Sequence, residues 1–198
     1  MKKLLSALLV SFSMIALPSS VQAVDLSVSL GLASNSGGYH AVGTETIKDA
    51  GGNNYNSVSE TSEAGVFTDS HQSIFGEINI GDNMSVGVEF ALGDIQTPQN
   101  TNAQTNDPTV ANSNAGTVQT NTAKASFSDK TTVYIQARML GGLYTKIMYH
   151  EVNVISQESL ATGGAYGDQT IEGLGLGLGY QHDMGDLGIF IRAELTAS

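Results

Sequence analysis

Val24-Asp25-Leu26-Ser27-Val28-Ser29-Leu30-Gly31-Leu32-Ala33 alternates strictly between apolar residues and small or polar ones. Successive side chains of an extended strand point to opposite faces, so this stretch has one greasy face and one polar face. The pattern returns with Met84, Val86, Val88, Phe90 and Leu92 set against Ser85, Gly87, Glu89, Ala91 and Gly93. It appears again where Leu174, Leu176, Leu178 and Tyr180 alternate with Gly173, Gly175, Gly177 and Gly179. Strands of this kind build either a sandwich or a membrane barrel. The rhythm of the connections and the N-terminus decide between the two.

The connections are alternately long and short. After a first strand over about Val24–Ala33 comes a polar stretch, Ser34–Ser70. A second strand, about Gln72–Ile80, turns at Gly81-Asp82-Asn83 into a third, Met84–Gly93. Ile74, Ile78 and Ile80 share one face of the second strand, and Ser73, Glu77 and Asn79 the other. A second long stretch, Asp94–Asp129, is rich in Asn, Thr, Gln, Ala and Ser, and Pro98 and Pro108 interrupt it. It has too few large apolar residues for a core and is expected to be mobile, with Thr122–Ser128 extending the following strand. The fourth strand, about Lys130–Leu140, turns at Gly141-Gly142 into a fifth, Leu143 to about Val152. A third loop, about Ile155–Asp168, leads to a sixth strand, Thr170–Gln181. Asp183–Asp186 then turns into a seventh, Leu187 to about Leu195. Short Gly/Asn/Asp turns between alternating runs are hairpin signals. Compact soluble domains rarely carry two loops of this length, whereas outer-membrane barrels pair long external loops with short periplasmic turns.

The N-terminus agrees. Lys2-Lys3, an apolar run from Leu4 to Leu17 and the ending Val21-Gln22-Ala23 describe a secretory signal peptide over residues 1–23, and so Sec export. The apolar run is shorter than the ~20 residues a spanning helix needs. A single domain is left from residue 24 to 198. With no Cys in the chain, neither disulfide nor thiol chemistry is available. The net charge of −11 argues against nucleic acid, which requires a basic footprint. Glu45, Asp49, Glu60, Glu63 and Asp69 make the first long stretch acidic, but without the spacing of a calcium loop. The expected fold is thus an all-β, antiparallel, up-and-down transmembrane β-barrel.

About seven spans are legible, while bacterial single-chain barrels have an even number. An open edge in hydrocarbon costs several kcal/mol for each unpaired backbone group. Eight strands are therefore expected, with the chain stopping at Ser198 where a fourth external loop would begin and the barrel domain incomplete at its C-terminus. The alternative is an overlooked span around Ala123–Phe127.

On the predicted inner faces lie Glu77, Glu89 and Glu194 together with Arg138, Lys146 and Arg192. An eight-stranded barrel has an interior filled by side chains. Buried charges need partners, and three acids against three bases suggest a salt-bridge plug across the lumen rather than a filter of one sign. Tyr134 and Gln136 are available for remaining partners. The glycine row of the sixth strand is expected to give Arg138 and Arg192 room to cross.

Taken together, the signal through Ala23, the strand repeats, the short turns and the charged interior resemble the small eight-stranded outer-membrane barrels of the OmpA transmembrane-domain and opacity-porin type. The resemblance implies a Gram-negative outer-membrane location, with outer-membrane lipid and lipopolysaccharide around the barrel and the barrel-assembly machinery as partner during biogenesis. It also implies a structural or surface-interaction role with an unidentified surface ligand, or a narrow porin for small solutes. Barrels of this size also include lipid A deacylases and palmitoyltransferases. Here His150 and Glu151 are adjacent and point to opposite faces, so they form no dyad on one strand. His40, His71 and His182 lie in or beside loops and turns. No catalytic residue, metal ligand or cofactor is expected, and His150 reads as a lumenal or rim histidine. The reading from a different class is a soluble periplasmic β-sandwich.

Overall fold

The computed structural model describes residues 25–48, 58–105, 118–159, 166–185 and 189–198. The expected signal peptide and Leu187 lie outside the described residues. Among the described residues nine strands form one antiparallel sheet: β1 (Leu26–Lys48), β2 (Val58–Ile80), β3 (Met84–Ala91), β4 (Ile95–Gln96), β5 (Asn100–Thr105), β6 (Val118–Arg138), β7 (Leu143–Ser159), β8 (Gln169–Asp183) and β9 (Phe190–Ala197). The hydrogen-bonded order is β1-β2-β3-β6-β7-β8-β9, and β4 and β5 continue the path of β3 along β6. Among the described residues no pairing joins β1 to β9. The sheet curls strongly, because side chains of β9 meet those of β2: the Phe75 and Phe190 rings lie 6.3 Å apart.

Tight turns set the registers. Gly81 and Gly142 both adopt positive φ, at 60° and 86°. At Gly142 a Cβ would also sit 2.4 Å from the Gln181 carbonyl oxygen, so only glycine fits this corner. A short 3-10 turn, Leu140–Gly142, joins β6 to β7.

Expectations about all three long connections are corrected. Most of Ser34–Ser70 is strand: β1 and β2 pair without a break from Leu26↔Ile80 to Lys48↔Val58. The composition looks like loop, but the inward phase of the lower hairpin continues through Asn35, Gly37 and Tyr39, and Tyr39 stacks on Phe67 at 5.3 Å. Cross-strand packing outweighs weak local β-propensity here. Within Asp94–Asp129, β4, β5 and the outer half of β6 are likewise paired. Ala123–Phe127 belongs to β6 itself and is no separate span. The third loop begins late, since β7 continues to Ser159.

A bulge separates the two halves of β6. Ser128 pairs with Asn153 and Thr131 with Glu151, leaving one extra residue on β6, where Asp129 takes φ 52°. The extra residue reverses the facing of β6. Below it Thr132, Tyr134 and Gln136 are buried; above it Phe127 joins Phe67 at 6.3 Å, with Ile95 its cross-strand partner.

The two faces of the lower sheet are inverted relative to a soluble protein. Leu30 and Leu32 are each 79% exposed and Leu174 is 74% exposed, all on the convex face. The concave face buries Glu77, Lys146, Gln136, Asn79, Ser85 and Thr132.

Where β2 and β4 part, a polar cleft of about 430 Å³ opens beside Thr68, Asp94, Thr97 and Lys124. Its polar groups are engaged with one another. Lys124 donates to Gln96 Oε1, and Ser126 Oγ donates to Asp94 Oδ2 at 2.9 Å. Asp69 accepts from the Gln96 N–H at 2.8 Å and the Ser70 N–H at 2.7 Å. These two bonds, the Gln96 bond foremost, hold the Asp69 carboxyl below the usual carboxylate range. A carboxyl lowered in this way contributes its tie above the ordinary value of 3.8 and loses it as pH falls through the lower folded value. Asp69→Ala is therefore expected to speed amide exchange at Gln96 at neutral pH and leave exchange within the β7–β8 ladder unchanged. Unchanged exchange at Gln96 would contradict the tie.

Candidate functional site: the charged interior

The site lies on the concave face, where alternate residues of β2, β3, β6, β7, β8 and β9 converge. Glu77 is its centre, with a side chain fully removed from solvent. Arg192 of β9 grips it with two guanidinium nitrogens: Nη2 lies 2.7 Å from Oε2, and Nη1 bonds Oε1. Tyr134 donates its hydroxyl to the same Oε1 at 2.7 Å. The Arg192 Nε–H is spent on Gln181 Oε1 at 2.7 Å, and the guanidinium stacks 4.5 Å from the Phe190 centroid. The planar fork of arginine matches a carboxylate in this two-bond geometry.

A second group lies beside the first. Lys146 Nζ is 3.1 Å from Glu194 Oε1, 3.8 Å from Glu89 Oε2 and 4.0 Å from the Tyr134 ring centroid. Tyr144 donates to Glu194 Oε2 at 2.8 Å. Glu89 also accepts from Ser73 Oγ at 2.6 Å, and Asn35 Nδ2 approaches its Oε1 at 3.3 Å.

Five of the six residues singled out from the sequence thus meet in two linked groups. Arg138 stands apart: it donates to Asn79 Oδ1 at 3.1 Å, and among the described residues no carboxylate pairs with it. Tyr134 acts as a partner, whereas the buried Gln136 amide has no hydrogen-bonding protein partner. The β8 glycines make room for β7 rather than for Arg138. Tyr144 lies over Gly179, Lys146 over Gly177, and the His150 ring over Gly175.

Tyr144, Gln181, Asn79 and Phe75 were not legible as site residues. Tyr144 has the same strand phase as Lys146, which was the available signal. His150 faces inward, with Nδ1 2.8 Å from Thr132 Oγ1. Its Nε2 has no hydrogen-bond partner among the described residues. Among the described residues no cluster of three or more His, Cys, Asp or Glu side chains is arranged for a metal ion. The arrangement bridges the concave space from β9 to β2 and fills it with paired charge.

Comparison with protein-family models, with curated proteins and with solved structures finds no match for this chain.

Proposed function

We propose that the chain is an outer-membrane β-barrel protein with a structural or surface-interaction role. Its charged interior is plugged, and its outer strands project from the membrane. The observation that carries this reading is the inverted sheet: a convex row of exposed leucine and isoleucine around a concave face of buried Glu, Lys and Gln. In water such a row is a liability, while in hydrocarbon each fully transferred leucine contributes about 1.5–3 kcal/mol. From Leu26 to Leu32 the lipid-facing row measures roughly 20 Å along the strand, close to the apolar band of such barrels. Beyond it β1 continues from Asn35 to Lys48, about 45 Å of strand, which supports a projecting arm. The two-bond Arg192–Glu77 pair favours a plugged interior over an aqueous path.

Fractionation and electrophoresis test the reading. The full-length product is expected in the outer-membrane fraction, extractable only with detergent, and shifting in mobility when boiled in SDS. In planar bilayers it is expected to give no stable openings. Detergent-free release in soluble form would favour the sandwich and sink the proposal. Steady conductance from a heat-modifiable barrel would replace the structural role with a narrow pore.

A further inference from the structure

Above the Arg192–Glu77 pair lies a ring of polar groups that meets the plug through Glu89. Register places Asn35 beside His71, and Glu89, Thr132 and His150 side by side across β3, β6 and β7. Ser73 Oγ joins the two rows through its 2.6 Å bond to Glu89. His71 is 7% exposed, and its Nδ1 is buried without a protein partner. His150 Nε2 is buried without one as well. The charged groups facing His71 are Lys130 of β6, Glu89 of β3 and Asp69 of its own strand. Those facing His150 are Lys130, Glu89 and Lys146. Glu89 is thus the one carboxylate that both imidazoles share, and Lys146 at 3.8 Å already draws on it. Asp69 is engaged by two backbone N–H groups, and Glu194 by Lys146 and Tyr144.

We propose that His71 and His150 form an acid sensor at the outer end of the interior, in which protonation sets new positive charge beside Lys130 and draws Glu89 away from Lys146. A proton from solvent binds the free ring nitrogen, and Glu89 is the carboxylate whose field acts on both rings. The contact that loses strength is the one between Glu89 and Lys146, which ties this ring to the plug. Burial, then Lys130, holds the His71 imidazole below its ordinary range. The sign follows. The folded chain binds fewer protons than the unfolded one, so the stability tied to His71 is complete above the ordinary imidazole value of 6.5 and is lost as pH falls through the lower folded value.

The test uses the full-length chain refolded in detergent micelles. A histidine NMR titration follows the His71 imidazole directly. His71 is expected to titrate below the ordinary imidazole value of 6.5, and Lys130→Met to bring it back toward that value. The urea midpoint of the wild type is expected to fall between pH 7.5 and pH 5, and His71→Gln with His150→Gln to remove at least half of that slope. A His71 that titrates at or above the ordinary imidazole value of 6.5, or a slope unchanged in the double variant, overturns the proposal. Should the double variant fail to fold, the wild-type titration and Lys130→Met decide alone.

Discussion

Replacing Arg192 by Met lowers the unfolding free energy of the refolded chain by about 3–5 kcal/mol, because it leaves Glu77 charged and buried without its partner. Glu77 has no exposed side-chain surface, and Tyr134 alone cannot offset the loss of two guanidinium bonds. Urea unfolding in micelles, followed by the β-sheet circular dichroism band, measures the change. Arg192→Lys keeps the charge but loses the two-bond fork, and is expected to fall between wild type and Met. Combining Arg192→Met with Glu77→Leu removes both charges and is expected to recover most of the loss. A loss below about 1 kcal/mol would place the pair in the class of exposed ion pairs and remove it as the plug. The geometry assigns this role to Arg192 rather than Arg138, whose described partner is the neutral Asn79.

Gly179→Ala is expected to cost about 3 kcal/mol, the upper end for overpacking, or to prevent folding. A Cβ there would lie 2.3 Å from Tyr144 Cζ and 2.7 Å from the Ala193 carbonyl oxygen. The ring can move only by giving up its 2.8 Å bond to Glu194, and the Ala193 backbone is held in the β8–β9 ladder. Gly173, six residues earlier in the same row, has no atom near its would-be Cβ, so Gly173→Ala is expected to change stability by less than about 0.5 kcal/mol. The pair of variants separates a steric requirement from a general dislike of alanine in β8. Equal effects at the two positions would contradict the packing account.

The lower sheet was readable because one physical rule governs it. Outward and inward residues alternate with period two, so the faces of Ile74, Ile78, Glu77 and Asn79 or of Val133, Ile135, Tyr134 and Gln136 follow from sequence position. The all-β antiparallel fold came from the same rule, and the turns at Gly81–Asn83 and Gly141–Gly142 from their glycines. The outer strands were missed because only scattered apolar residues, such as Val42 and Val66, face outward there. Gly37, Gly38, Thr44 and Asn121 resemble loop composition, and the stabilising contacts join distant residues such as Tyr39, Phe67 and Phe127. Within the interior, charged residues announced themselves by their cost. Tyr144 and Gln181 did not, because a tyrosine or glutamine is equally at home on a rim. Which acid meets which base was also beyond the sequence, since Glu77 and Arg192 are 115 residues apart and the curl of the sheet joins them.

The bulge at Asp129 amounts to a phase slip of half a period. Had β6 kept step, Phe127 would stand on the outer surface and Ser126 and Ser128 would line the inside. The slip lets two alternating patterns, one tuned to surround polar groups with grease and one tuned to the reverse, share a single continuous strand. Deleting a residue there would put the outer pattern out of register with Phe67 and Tyr39 while leaving the lower one intact. The two halves of the sheet are in this sense separately composed passages joined by one extra beat, and the outer one is free to diverge without disturbing the inner.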